Sequence, residues 1–259
     1  MYKMMLKILC VGIVISACVF GAFVLKYEKK TYKNLSVIFD FDSTLVKNET
    51  LIDMLSLALN GDKEKIQQIE NITKDAMNGL LTPQQSMNKR LQFATINKEI
   101  VKKMTEKTKQ SITDGMIDLI KKLQQKNVNI YIVSGGFREV ILPTADILGI
   151  KNDNVFANDF LYDGDFVSGV KDSILLEKQG KVKVIQNAKK EKKITGKTIM
   201  IGDGFTDLKV GLYKATDDFI AFTGVVEREN VFEEARKNNF KIAKNADELL
   251  KIIEDKFYN

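Results

Sequence analysis

No histidine occurs among the 259 residues of the chain. Its absence removes Ser-His-Asp and Cys-His triads, histidine general bases and histidine-held zinc from the available chemistry. Cysteine is nearly missing as well. Cys10 and Cys18 both fall in an apolar N-terminal stretch, so the rest of the chain can form no disulfide and do no thiol chemistry. The basic residues lack aromatic interleaving, and no nucleic-acid-binding motif is present. The net charge of +6 therefore reads as solvated lysine faces such as Lys189-Lys190-Glu191-Lys192-Lys193, and no nucleic-acid partner is expected. An enzyme built from this composition works with carboxylates, lysine, hydroxyls and oxygen-bound metals.

What is present suits a globular protein: 44% apolar and 29% charged residues, in a length that holds one large domain or a core with an insertion. Ile8 to Leu25 carries no charge, with Lys3 and Lys7 before it and Lys26, Lys29, Lys30 and Lys33 after it. That run is about the minimum for a transmembrane helix, so residues 1–33 read as a membrane anchor or signal segment. The lysine excess on the C-terminal flank points to a single-pass anchor with a cytoplasmic catalytic domain. The alternative is export, either by a cleaved signal or as a lipoprotein, because Ile15-Ser16-Ala17-Cys18 resembles a lipidation motif at Cys18.

Val37-Ile38-Phe39 followed by Asp40-Phe41-Asp42-Ser43-Thr44 reads as a buried strand that ends in two carboxylates. From about Leu51 to Gln110 the apolar spacing is helical, with a helix start at Thr82-Pro83. A stretch of this length is an insertion rather than a loop. Helix and strand then alternate. Val128 to Val133 leads into Ser134-Gly135-Gly136-Phe137, and Tyr162-Asp163-Gly164-Asp165 marks a hairpin turn. Thr198-Ile199-Met200-Ile201 runs into Gly202-Asp203-Gly204-Phe205-Thr206-Asp207. The expected fold is α/β: a Rossmann-like parallel sheet with a helical cap inserted after the first strand. Core residues 34–50 and 111–259 enclose a cap of residues 51–110, after the N-terminal segment 1–33.

Three strand ends thus carry Asp40/Asp42, Ser134-Gly135-Gly136 and Asp203/Asp207. Carboxylate oxygens without imidazole or thiolate suit a hard cation, and Mg²⁺ above all. A hydroxyl followed by glycines at a helix start offers an anion site. A cation beside an anion site and paired aspartates describes phosphoryl transfer.

These motifs resemble the haloacid dehalogenase superfamily of Mg²⁺-dependent phosphatases, in its phosphoserine phosphatase-like branch. The likeness spans about Val37 to Val231. It implies a phosphoric monoester hydrolase of serine biosynthesis that converts phosphoserine and water to serine and phosphate. Under the resemblance Asp40 is the nucleophile that becomes an aspartyl-phosphate, and Asp42 is the general acid and base. Asp40, Asp203 and the Asp42 backbone carbonyl hold Mg²⁺, with Asp207 in support. Ser134, Gly135 and a lysine bind phosphate; the lysine is Lys181, with Lys178 as the alternative. Glu49 matches the residue for the substrate ammonium, Arg90 the one for its carboxylate, and Met77 an apolar residue facing the substrate. Alternatives are another small phosphorylated metabolite, such as a phosphorylated amino alcohol, or a membrane-tethered binding protein without turnover.

Overall fold

The computed structural model describes residues 34–77 and 80–257, without the side chains of Met77 and Phe257. The segment expected as an anchor or signal, with Cys10 and Cys18, lies outside the described residues. Among the described residues no helix is long and apolar enough to cross a membrane.

Strand β1 (Leu35–Phe39) is buried at every position. Its alternate side chains enter two different cores. Val37 and Phe39 join a cluster with helices α5 (Met116–Gln125), α6 (Arg138–Ile147) and α10 (Ala246–Phe257). Ile38 points the other way, into a cluster with α7 (Gly180–Lys190), α8 (Phe205–Leu212) and α9 (Glu229–Lys237). Helices on both faces explain why the strand is a continuous apolar run rather than an alternating one.

The main sheet has six strands in the order β3-β2-β1-β6-β7-β8, all parallel. They are β2 (Asn129–Phe137), β3 (Val155–Asn158), β6 (Lys197–Gly202), β7 (Asp218–Phe222) and β8 (Lys241–Ala243), around β1. The chain builds outward from β1 on one side through β2 and β3, then on the other through β6 to β8. Such a reversal opens a crevice at the carboxyl ends of β1, β2 and β6.

Between β1 and α5 come four helices among the described residues: α1 (Thr50–Ala58), α2 (Lys63–Met77), α3 (Pro83–Leu91) and α4 (Lys98–Lys109). Thr82 caps α3 in a reciprocal pair with Gln85, and Pro83 follows it in the first turn, as expected at a helix start. The hairpin β4 (Phe160–Asp163) with β5 (Phe166–Val170) packs against these helices, which share a third core of Leu51, Met54, Ile69, Met87, Met104 and Phe160.

One local expectation needs correction. The Ser134-Gly135-Gly136 stretch is not at a helix start: β2 continues through it to Phe137, and α6 begins at Arg138. The strand persists because Phe137 still pairs with Asn158 of β3 after a shift of register beyond Val133. The irregularity absorbs the two glycines without ending the strand.

Candidate active site

Asp40 follows β1 directly, and its N–H donates to the Ile201 carbonyl of β6 at 2.9 Å. The main chain of the sheet therefore fixes it. A tight turn over Phe41–Leu45 follows, in which Ser43 takes the left-handed conformation at φ +52°. A non-glycine residue there costs roughly 1–2 kcal/mol. The strain is offset in place, because the Ser43 hydroxyl donates to Glu49 Oε1 at 2.8 Å. The turn separates the two aspartates in character. Asp40 accepts from the Phe41 N–H and from Lys181 Nζ, each at 2.7 Å. Asp42 accepts from the Thr50 hydroxyl at 3.0 Å on Oδ2, while its buried Oδ1 has no partner among the described residues. Burial, then the charges of Glu49 and Asp40, push the Asp42 carboxyl well above the usual range, against the hydrogen bonds of Thr50. The local environment favours a protonated Asp42.

Asp203 and Asp207 stand at the end of β6 and the start of α8. Gly202 is required there: a Cβ would fall 2.4 Å from Asp207 Cγ. Carboxylate oxygens of Asp40, Asp203 and Asp207 lie within 4.8 Å of one another. Lys181, from the first turn of α7, reaches Asp40 Oδ1 and Asp207 Oδ1 at 2.7 Å each. Burial opposes its charge, yet Asp207 and Asp40 outweigh that and raise its pKa above the ordinary lysine value. Asp207 has both oxygens engaged, one by Lys181 and one by the Gly204 N–H at 3.1 Å. Asp203 accepts from Thr44 at 3.3 Å and from Arg228 Nε at 2.6 Å. Burial and then Asp40 push its carboxyl up to about 6, against Arg228. Three converging carboxylates without imidazole or thiolate fit a hard divalent cation.

Ser134 is buried and accepts from the Gly136 N–H at 3.0 Å, which orients its hydroxyl oxygen. A Cβ on Gly135 would meet open space, so its backbone borders free volume. Asn158 of β3 donates to the Gly135 carbonyl at 2.8 Å and so holds this strand end in place.

Asp40, Asp42, Ser134, Gly135, Asn158, Lys181 and Asp203 line one cavity of about 370 Å³, together with Glu49, Ser86, Arg90, Lys178 and Arg228, while Asp207 is fully buried. Arg90 donates from Nε to the Ser86 carbonyl at 3.3 Å and makes no ion pair among the described residues. Burial lowers its pKa to about 10, against the attraction of Glu49 and Asp42, so it stays charged near neutrality. The two candidate lysines are placed differently: Lys181 sits between the aspartates, whereas Lys178 is exposed at the rim. Gly180 sets the register. A Cβ there would lie 2.5 Å from the Ile174 carbonyl, so the glycine packs on the preceding turn and the next residue enters the site. The Met77 side chain lies outside the described residues.

Sequence reasoning missed Arg228. It bridges Asp203 and Glu49, the latter at 2.9 Å, from a segment between β7 and α9 that carries no motif. Burial opposes its charge, and Asp203 with Glu49 more than restores it. Asn158 was missed too. The Ala157-Asn158 step at the end of a short strand was the one available signal.

A family model for haloacid dehalogenase-like hydrolases matches residues 37–211. The chain is 32% identical over 211 residues to a phosphoserine phosphatase of Homo sapiens, covering 81% of this chain and 90% of that protein. It is also 32% identical over 198 residues to a chloroplastic phosphoserine phosphatase of Arabidopsis thaliana, covering 76% of this chain and 65% of the plant protein, just under two thirds of its length. Among solved structures, a phosphoserine phosphohydrolase-like protein from Francisella tularensis superposes with a TM-score of 0.74 at 33% identity, covering 84% of this chain and 99% of that one.

Proposed function

Since the chain belongs to the haloacid dehalogenase-like hydrolase family, in its phosphoserine phosphatase-like branch, we propose that it is a phosphoric monoester hydrolase that converts O-phosphoserine and water to serine and phosphate. The observation that carries the reading is the unlike pair at the end of β1. Asp40 is held by a lysine and a backbone N–H. Asp42 is half-buried, shifted toward its neutral form and left with one buried, unpaired oxygen at the same cavity among the described residues.

Asp40 attacks phosphorus and becomes an aspartyl-phosphate as the ester bond breaks. Asp42, protonated at the start, gives its proton to the departing serine oxygen. It then takes a proton from the water that attacks the aspartyl-phosphate, which returns both aspartates to their first state. Lys181, the Ser134 hydroxyl and the Gly135 N–H hold the phosphate oxygens during both steps. Asp40, Asp203 and the Asp42 carbonyl would hold Mg²⁺, with Asp207 supporting the site through Lys181. Bound there, the ion supplies positive charge against the negative charge gathered on the transferring phosphoryl group. Glu49 binds the substrate ammonium and Arg90 its carboxylate, so the two ends of the amino acid fix which phosphoester enters. Helices within residues 51–110 form a cap that excludes water until the aspartyl-phosphate has formed.

The uncharged N-terminal run and its flanking lysines support a membrane tether for this unit, on the cytoplasmic side. Recovery of the full-length protein in the soluble fraction after cell lysis would remove that part of the reading. The activity is tested by phosphate release from O-phosphoserine with and without Mg²⁺. Turnover is expected only with the ion, and Mg²⁺-dependent release that survives Asp40→Asn would overturn the nucleophile assignment.

A further inference from the structure

Ser86 lies on α3 one turn before Arg90, so the two side chains leave the same face of the helix. It is 1% exposed, and its buried hydroxyl has no hydrogen-bond partner among the described residues. Other helical hydroxyls in this chain behave differently. Thr73 and Thr105 donate to the carbonyl four residues earlier at 3.0 and 2.9 Å, the usual outlet for a hydroxyl on a helix. Thr144 on α6 also keeps an unpaired buried hydroxyl, but it is not among the residues around the active-site cavity; Ser86 is. A buried hydroxyl without a partner carries a desolvation cost with no return, unless a ligand completes it.

Arg90 is incomplete in the same way. Its Nε is fixed on the Ser86 carbonyl, which leaves the two terminal nitrogens of the guanidinium for another partner, and no carboxylate within ion-pair distance takes them among the described residues. A planar guanidinium engages a carboxylate through two parallel N–H groups, and the carboxylate has acceptor capacity left over. The one donor of a serine hydroxyl on the same helical face suits that remainder.

We propose that Ser86 is a further substrate-binding residue, donating its hydroxyl to the carboxylate that Arg90 holds. The proposal rests on the amino-acid phosphoester reading above and extends it: the substrate carboxylate is read by a two-residue seat on one turn of α3. The test is Ser86→Ala in the full-length protein with Mg²⁺, assayed on O-phosphoserine and on O-phosphoethanolamine, which keeps the ammonium and lacks the carboxylate. The KM for O-phosphoserine is expected to rise about tenfold, as for loss of a hydrogen bond to a charged group, with kcat within about twofold. Turnover of O-phosphoethanolamine should not change. The melting temperature should hold or rise, because the lost hydroxyl had no protein partner. An unchanged KM for O-phosphoserine, or an equal loss on both substrates, overturns the Ser86 role and leaves the phosphatase reading standing. If the unaltered protein releases no phosphate from O-phosphoserine, the substrate reading is overturned and this inference with it.

Discussion

The floor and the wall of the cavity are built on opposite plans. On the floor, at the ends of β1 and β6, every charged group has its partner inside the protein. Lys181 spans Asp40 and Asp207, the Gly204 N–H holds Asp207, and Arg228 holds Asp203. On the wall, carried by the helix after Thr82, Ser86 and Arg90 lack such partners among the described residues. In the proposed reaction charge develops on the floor, where donors already in position need no rearrangement as it appears. The wall is left unsatisfied because recognition draws its energy from partners the substrate brings. Asp42 belongs to both, with one oxygen bound by Thr50 and one open.

Breaking the floor should cost the most. Asp40→Asn removes the proposed nucleophile, and phosphate release is expected to fall by at least about ten-thousand-fold, or about 5 kcal/mol of barrier, in a steady-state assay with Mg²⁺. No phosphorylated protein should be detectable by intact mass. Lys181→Met comes next. It strips a proposed phosphate ligand and leaves the Asp40 and Asp207 carboxylates without their cation, so kcat should fall about a thousandfold. The metal-free protein should also lose about 3–5 kcal/mol of stability, as buried pairs do when one partner goes. A Lys181→Met protein with normal melting temperature and lowered kcat would show that the floor is not held together in this way.

Breaking the wall should look different. Arg90→Ala is expected to raise the KM for O-phosphoserine about a hundredfold, as for the loss of a bidentate charged contact, and to leave O-phosphoethanolamine turnover nearly intact. The split between substrates sharpens the contrast: a floor variant depresses both, a wall variant only the one with a carboxylate.

The same contrast governs what is legible in the amino-acid sequence. Floor residues follow apolar strands in short motifs, so Asp40, Asp42, Asp203 and Asp207 stand out by position along the chain. Lys181 and Lys178 compete there because spacing in a lysine-rich stretch does not set register. The close approach of Gly180 to the Ile174 carbonyl does, and that is a tertiary contact. Arg228 is hidden for the same reason: its partners Glu49 and Asp203 are 179 and 25 residues away. Strand β8 has only Lys241–Ala243, too short for a period to show, and β2 outruns its glycines because β3 continues to pair with it. A parallel sheet follows from the alternation of elements, whereas the strand order and unpaired groups such as the Ser86 hydroxyl exist only in three dimensions.

A smaller effect separates floor from wall by pH. The Asp203 carboxyl rises from its ordinary 3.8 to about 6 in the metal-free fold, so the native state binds more protons than the unfolded chain between those values. Its contribution to stability is present in full below pH 3.8 and is lost as pH rises through about 6, at up to about 1.4 kcal/mol per pH unit. The burial of Asp42 and Asp207 acts in the same direction. In a chelator, the melting temperature should fall between about pH 4 and 6. Asp203→Asn should flatten that slope. Arg90→Ala should not.

The smallest expected effect lies at Ser43, where floor and wall meet through Glu49. Ser43→Ala and Ser43→Gly both remove the 2.8 Å bond to Glu49, so both should raise the KM for O-phosphoserine by the same roughly threefold to tenfold factor, that of one hydrogen bond to a charged group. They part on stability. Alanine keeps the strain of a side chain at φ +52°, and glycine releases it. Ser43→Gly should therefore be the more stable of the two by about 1 kcal/mol, or roughly 2–4 °C in melting temperature for a chain of this size. Equal melting temperatures would mean that the left-handed turn is not strained. Unequal KM values would mean that the turn, and not the hydroxyl alone, positions Glu49.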